Sequence, residues 1–149
     1  MNPLNSVRGV ITGGIVLSVI IAAATFGIEW NQPSFIIWLH ALAGITWIGL
    51  LYYFNFVQVP ALADAAADDG GPGGAGITKY VAPRALWWFR WGAVGTWLTG
   101  AGYLAELGRL QHAFTFGLLE GGVRPDAFIG VGAWLGTFML FNVWVLIWP

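Results

Sequence analysis

The chain has 149 residues, 58% of them hydrophobic, 16% aromatic and 9% charged, with six Lys+Arg against seven Asp+Glu and no cysteine. So low a charged fraction argues against a water-soluble fold, and the near-neutral balance leaves no basic surface for nucleic acid. The lack of cysteine excludes disulfides, thiolate metal sites, iron–sulfur clusters, a cysteine nucleophile and covalent haem attachment through Cys-x-x-Cys-His.

The length suits one domain, residues 1–149, and in a membrane it suits four spanning helices of ~20 residues each. The expected fold is therefore an all-α membrane protein, a four-transmembrane-helix bundle. The first span is read over roughly 8–28, bounded by Arg8 and by the polar run from Glu29 to Pro33. Its length disfavours a cleaved signal. The second, roughly 34–59, opens on Pro33-Ser34 and is expected to stop at Pro60, whose missing N–H discourages continuation. Between Pro60 and Pro83 lies an acidic, Gly-rich stretch with neither period nor apolar bulk, read as a flexible loop. The third and fourth spans are expected over roughly 84–105 and 127–148. Their connection mixes Leu107, Leu110, Phe114 and Phe116 with Arg, Gln and His, which predicts a short amphipathic helix at the membrane surface, broken by Gly121-Gly122.

Positive charge near helix ends sets orientation. Arg8, Lys79, Arg84 and Arg90 lie on the side of the N-terminus and the Gly-rich loop, against Arg109 and Arg124 on the other. This favours both termini and the Gly-rich loop in the cytoplasm, and it puts the His112 connection in the periplasm of a bacterial inner membrane. Three ridges of small residues, Gly14/Ser18/Ala22, Gly92/Thr96/Gly100 and Gly132/Gly136, are expected to be helix-packing faces. Trp30, Trp87, Trp88, Trp91, Trp144 and Trp148 fall near helix ends, as an aromatic belt requires, whereas Trp47 and Trp97 lie deeper.

Ionisable groups within a span are expensive and mark candidate sites. His40 lies about one and a half turns into the second span, with Gly44 and Trp47 on its face. An imidazole on an inner face beside a glycine that leaves room for a flat macrocycle is a seat for haem b, with His40 as ligand to the iron. A second axial ligand is then His112 or His40 of another subunit. The competing reading has His40 bonding a carbonyl or a hydroxyl such as Thr99 and holding nothing. At the opposite end, Asn55, Gln58, Arg84, Arg90 and Asn142 are expected near one another, walled by Trp87, Trp88, Trp91, Tyr52 and Tyr53. Guanidinium, amide and stacking groups suit a planar anionic ligand such as a purine-like heterocycle, a quinone headgroup or a haem propionate. The competing reading has the arginines snorkelling to lipid phosphates while the asparagines tie helices together. There is no nucleophile constellation, no dinucleotide-binding glycine motif and no set of paired intramembrane charges for an ion path.

The stretches LHALAGITWIGLLYYFNFVQVPAL (39–62), YVAPRALWWFRWGAVGTWLTG (80–100) and FNVWVLIWP (141–149) resemble the membrane region of the cytochrome-c-linked urate hydroxylases, the urate oxidase N-terminal domain family. More distantly, a four-helix span with an early His resembles the membrane protoporphyrinogen oxidase family, which is associated with haem b. The first resemblance implies a bacterial inner-membrane protein with redox associations and carries His40, Trp47, Asn55, Arg84, Arg90 and Asn142 as family-pattern positions. The family's membrane region is longer and is followed by a cytochrome c domain, so electrons from this chain would pass to a separate cytochrome c. Where the family continues in polar sequence this chain stops at Trp148-Pro149, which fits a chain cut short. The expected function is an inner-membrane redox module bearing haem b, surrounded by lipid and working as a homo-oligomer or within a respiratory or photosynthetic complex. The alternatives are a non-catalytic accessory subunit of such a complex and, more weakly, a binder of a purine-like solute.

Overall fold

A computed structural model describes residues 6–26, 31–119 and 123–147, with the backbone alone at Ala22, Thr25 and Phe26. The described residues are helical, with no strand. Trp30, Trp148 and the Gly121-Gly122 break lie outside the described residues, as does the side chain of Ala22. The chain divides into two units, Met1–Gln32 and Pro33–Pro149. The first contains α1, Val7–Phe26, where the Ser18 hydroxyl donates to the Gly14 carbonyl one turn back at 2.8 Å.

α2 runs over Gln32–Ala67, all but its first residue in the second unit; there α3 joins a wide turn at Ile77–Val81 to Ala82–Glu106, α4 is the single turn Leu110–Phe114, and α5 runs over Arg124–Leu146. Among the described residues, two of the expected spans, α2 and α5, are long and apolar enough to cross a membrane, and α1 carries an apolar stretch over Val7–Ile21. α3 has the length but not the hydropathy, because Arg84, Arg90, four tryptophans and four glycines dilute its aliphatic content. Within the second unit the apolar residues are turned outward. Phe35, Trp38, Ile45 and Phe56 on α2 and Phe128, Val131, Leu135 and Phe138 on α5 are all exposed. Water does not tolerate a continuous apolar surface of this kind, and lipid does.

The expected boundaries at the two prolines are corrected. α2 does not stop at Val59 but continues through Pro60 to Ala67, and the helix of α3 is under way before Pro83. The Gly-rich loop therefore contracts to the few residues around Asp68–Gly74, with Gly70 and Gly73 at positive φ (88° and 66°). The reason is the same at both sites. A proline inside a helix lacks a donor and drives its ring into the carbonyl four residues back. Here a five-residue π turn precedes each one, Phe54–Gln58 and Ile77–Val81, with the bonds Val59 N–H to Phe54 O and Ala82 N–H to Ile77 O reaching one residue further than α-helical bonds. The widened turn gives the ring space, so the helix passes the proline without ending. At 36 residues α2 is about 54 Å long, well beyond the ~30 Å hydrocarbon thickness of a bilayer.

α2 and α3 meet closely along the Gly92/Thr96/Gly100 ridge. A Cβ on Gly92 would stand 3.1 Å from the Trp47 backbone nitrogen, one on Gly95 would stand 3.2 Å from Ala43 Cβ, and Gly44 faces Thr96 Cγ2. This is a packing face, as its spacing predicts. Beside it Trp47, Phe89, Ala93 and Val143 form the buried core, and Phe54 meets Phe89 edge-on at 5.4 Å. α5 is held to α3 by the Trp97 indole N–H, which donates to Thr137 Oγ1 at 2.8 Å. α4 is the short helix expected between the last two long ones, and it packs on the start of α5. Ala113, fully buried, has its carbonyl against Gly130, and the Trp134 N–H donates to the Phe114 carbonyl at 3.0 Å. An ion pair not visible from spacing completes this corner. Arg109 grips Asp126 through Nε (3.0 Å to Oδ1) and Nη2, while Asp126 Oδ2 accepts the Val123 N–H at 2.8 Å and caps the first turn of α5.

Candidate functional site

Between α2, α3 and α5 the second unit holds a groove of about 450 Å³. His40 and Trp47 line it from α2, Trp97 and Gly100 from α3, Phe114 from α4, and Gly132, Gly136 and Met139 from α5. Its polar groups are few, and the most versatile is His40.

The His40 ring is fixed from one side. Its Nδ1 lies 2.9 Å from the Thr96 carbonyl oxygen and 3.2 Å from Thr99 Oγ1. Thr99 itself donates to the Gly95 carbonyl at 2.6 Å, which leaves its oxygen as an acceptor toward the ring. A carbonyl can only accept, so Nδ1 carries the proton, and in the neutral ring the lone pair is on Nε2. Gly100 makes this contact possible, since a Cβ there would stand 3.1 Å from His40 Cε1. The expected bond to Thr99 is therefore present, yet it uses one ring nitrogen only. An imidazole whose Nδ1–H is held by a backbone carbonyl is oriented as metal-bound histidines are, with the other nitrogen presented outward.

The ridge at Gly132 and Gly136 is corrected from packing face to groove wall. A Cβ on Gly132 would meet nothing within 4 Å, and one on Gly136 would only graze Trp97 at 4.0 Å. Gly44, where a Cβ would likewise stand 4.0 Å from its neighbour, Thr96 Cγ2, does not line the groove, whereas Gly132 and Gly136 of α5 do. Trp47 is buried in the core at 7% exposure, and its indole N–H has no acceptor among the described residues. His112 is not brought into the groove. It lies on α4 two residues before Phe114, which does line the groove, and residues two apart on a helix point to nearly opposite sides.

The second constellation is at the other end of α3. Arg90 lies with its guanidinium 5.4 Å from the Trp144 ring centre, and Trp91 meets Trp144 edge-on at 5.8 Å. Asn142, exposed, opens the π turn Asn142–Leu146 beside them. Asn55 and Arg84 are exposed and bond within their own helices, Asn55 Nδ2 to Leu51 O at 2.8 Å and Arg84 Nη1 to Tyr80 O at 3.3 Å. Gln58 is buried, and its side-chain oxygen has no donor among the described residues. None of these residues lines the His40 groove. Arg90 is ten residues from Gly100 along α3, about 15 Å from the level of His40.

No group of three or more His, Cys, Asp or Glu that could hold a metal ion occurs among the described residues. A macrocycle that brings its own metal needs only one such ligand from the protein. Sequence reasoning singled out His40 and Trp47, which line the groove, and Gly44, which does not, but it missed Thr96 as the anchor of the ring and Met139 and Phe114 as walls. Position in the sequence carries no sign of which helix faces a groove. Comparison of the chain with protein families, with curated proteins and with solved structures gives no match.

Proposed function

We propose that the protein is a membrane-embedded redox module that holds haem b in the α2–α3–α5 groove, with His40 Nε2 as the ligand to the iron. The observation that carries this reading is the His40 ring, tied through Nδ1 to the Thr96 carbonyl and lining, with Gly132 and Gly136 across from it on α5, a largely apolar groove. The residues fit the group. The Thr96 and Thr99 bonds hold the ring, Gly100 admits it, and Gly132 and Gly136 leave flat space beside it. When bound, haem b supplies a one-electron iron couple. The protein's part is to orient the imidazole, to exclude water with Trp97, Phe114 and Met139, and to keep the site at low dielectric. His40, Trp47, Thr96, Trp97 and Gly100 all fall within the two stretches, 39–62 and 80–100, that resemble the urate hydroxylases. On this reading electrons leave to a separate cytochrome c.

The test is an absorption spectrum, oxidised and dithionite-reduced, of the full chain purified in mild detergent. A Soret band is expected, lost in His40→Ala and restored by added imidazole, which fills the space left by the side chain and shows that the variant is folded. A colourless protein that co-purifies with other membrane chains in fixed stoichiometry overturns the proposal. It would favour an accessory subunit that uses the exposed aromatic faces of α2 and α5.

A further inference from the structure

One face of α3 is exposed from its first turn onward. Gly92 and Gly95 turn toward α2 and Trp97 toward α5, whereas Tyr80, Arg84, Trp87, Trp88, Trp91 and Leu98 recur at helical spacing on the other side, all of them exposed. Positive charge stands at the start of this face. The Lys79 ammonium is 5.4 Å from the Tyr80 ring centre, and Arg84 Nη1 donates to the Tyr80 carbonyl one turn back at 3.3 Å, which draws the guanidinium toward the beginning of the helix. Indoles follow in contact with one another. Trp87 meets Trp88 at 5.1 Å and Trp91 at 6.2 Å, and Trp91 meets Trp144 of α5, the ring that also faces the Arg90 guanidinium.

The depth of this face follows from the spacing of charge along α3. Between Arg84 and Glu106 the only charged residue is Arg90, and the stretch is about 33 Å long, close to the ~30 Å hydrocarbon thickness of a bilayer. With α3 packed between the two helices apolar enough to span, Arg84 stands at the level of lipid headgroups. The order of residues inward from there, cation at Arg84, indoles at Trp87 to Trp91 and aliphatic carbon at Leu98, is the order in which a phospholipid presents phosphate, ester and chain. The charge at this end is also of one sign along the helix. No Asp or Glu occurs in α1, between residues 30 and 63, or between residues 70 and 105. Asp64, Asp68 and Asp69 lie further out, around the Gly-rich turn, and Asp126, at the far end of α5, is held by Arg109.

We propose that this face of α3, with Lys79 and Arg84 at the phosphate and the indoles of Trp87, Trp88, Trp91 and Trp144 along the glycerol esters, is a binding site for an anionic phospholipid of the surrounding bilayer. A zwitterionic lipid brings an ammonium group that opposes the two cations, and a free anion in water makes no use of the indole wall. A lipid with a net negative headgroup satisfies both. None of these residues lines the α2–α3–α5 groove, so the site does not depend on what the groove holds.

The experiment is quenching of tryptophan emission in the full chain, reconstituted in phosphatidylcholine vesicles that contain either brominated phosphatidylglycerol or brominated phosphatidylcholine at matched mole fractions. Half-maximal quenching is expected at a several-fold lower mole fraction of the anionic lipid. Arg84→Gln should reduce that preference about fivefold, the usual contribution of one basic side chain at a lipid surface. Lys79→Gln, which removes a charge from the turn before the helix, should reduce it in the same direction, Arg84→Lys should retain most of it, and Arg8→Gln on α1, an equal change in net charge, should leave it intact. Unfolding in pure phosphatidylcholine, followed by circular dichroism, shows that each variant is folded. Equal quenching by the two lipids overturns the proposal. So does a preference that survives the Lys79→Gln and Arg84→Gln double variant, which places the lipid elsewhere, or one that Arg8→Gln lowers as much as Arg84→Gln, which makes it an effect of net charge alone. Displacement of the brominated anionic lipid by inorganic phosphate, beyond that by chloride at equal ionic strength, would make the site one for a free anion and also overturns it.

Discussion

Two glycine ridges with the same four-residue spacing have opposite fates in this molecule. On α3, Gly92 and Gly100 are closed against α2, Gly92 against the Trp47 backbone and Gly100 against the His40 ring. On α5, Gly132 meets nothing and Gly136 barely touches Trp97. Small residues at i and i+4 permit close approach, but they do not supply the partner that comes close. A ridge with a helix laid on it is a joint; the same ridge left uncovered is the wall of a groove. The sharpest way to break this comparison is to place the same side chain on each ridge. Gly92→Leu sets a branched side chain against backbone that cannot yield, and a loss of about 3 kcal/mol is expected as α2 and α3 are forced apart. Gly132→Leu should leave stability unchanged or raise it by about 0.5 kcal/mol through helix propensity. Thermal unfolding in detergent, followed by circular dichroism, reads both. Equal losses at the two sites would mean that the α5 ridge is also a joint.

The openness of the α5 ridge depends on how the start of α5 is held, and this gives the next largest effect. Arg109 and Asp126 tie α4 and the preceding turn to α5, with Asp126 almost wholly buried and Arg109 partly exposed. Arg109→Ala leaves a buried carboxylate whose remaining hydrogen-bond donor among the described residues is the Val123 N–H. The expected loss is about 2–4 kcal/mol, since removing one member of a buried pair strands the other charge. Adding Asp126→Asn should recover part of that loss, because the neutral amide costs less to bury. If the double variant is no more stable than Arg109→Ala, the pair acts through side-chain packing and not through charge.

Much of the scaffold was legible in the sequence, for identifiable reasons. Long apolar blocks gave helices, and the spacing of Gly92, Thr96 and Gly100 gave a packing face that the structure bears out. His40 stood out because an imidazole in apolar sequence is costly, and its bond to Thr99 could be anticipated from the antiparallel pairing of α2 and α3. The prolines misled. Pro60 and Pro83 read as helix ends because the penalty for an internal proline assumes an unaltered turn before it, and a π turn removes that assumption. The second polar constellation was assembled from depth alone. Depth is set by residue number, but facing is set by rotation, and Asn55 and Arg84 turn back to carbonyls of their own helices. The ion pair of Arg109 with Asp126 joins residues seventeen apart across a turn, a separation with no helical period to announce it.

The smallest expected effect is that of Trp47→Phe, at a side chain that belongs to the core and also lines the groove, where the closed and open parts of the molecule meet. Its bulk and its N–H can be separated by substitution. Trp47→Ala should cost about 3–5 kcal/mol, the usual cost of removing a large buried aromatic. Trp47→Phe keeps most of the contact with Phe89, Ala93 and Val143 and deletes a buried donor that has no acceptor among the described residues. Stranding such a donor costs on the order of 1–3 kcal/mol, which offsets the lost ring volume, so the net change should be within about 1 kcal/mol. On the proposed haem reading, unfolding measured with and without added haem makes the comparison decisive. A Trp47→Phe loss that appears only in the haem-loaded protein would mean that the indole N–H finds its acceptor on the bound group, extending the site from His40 along seven residues of α2 into the core.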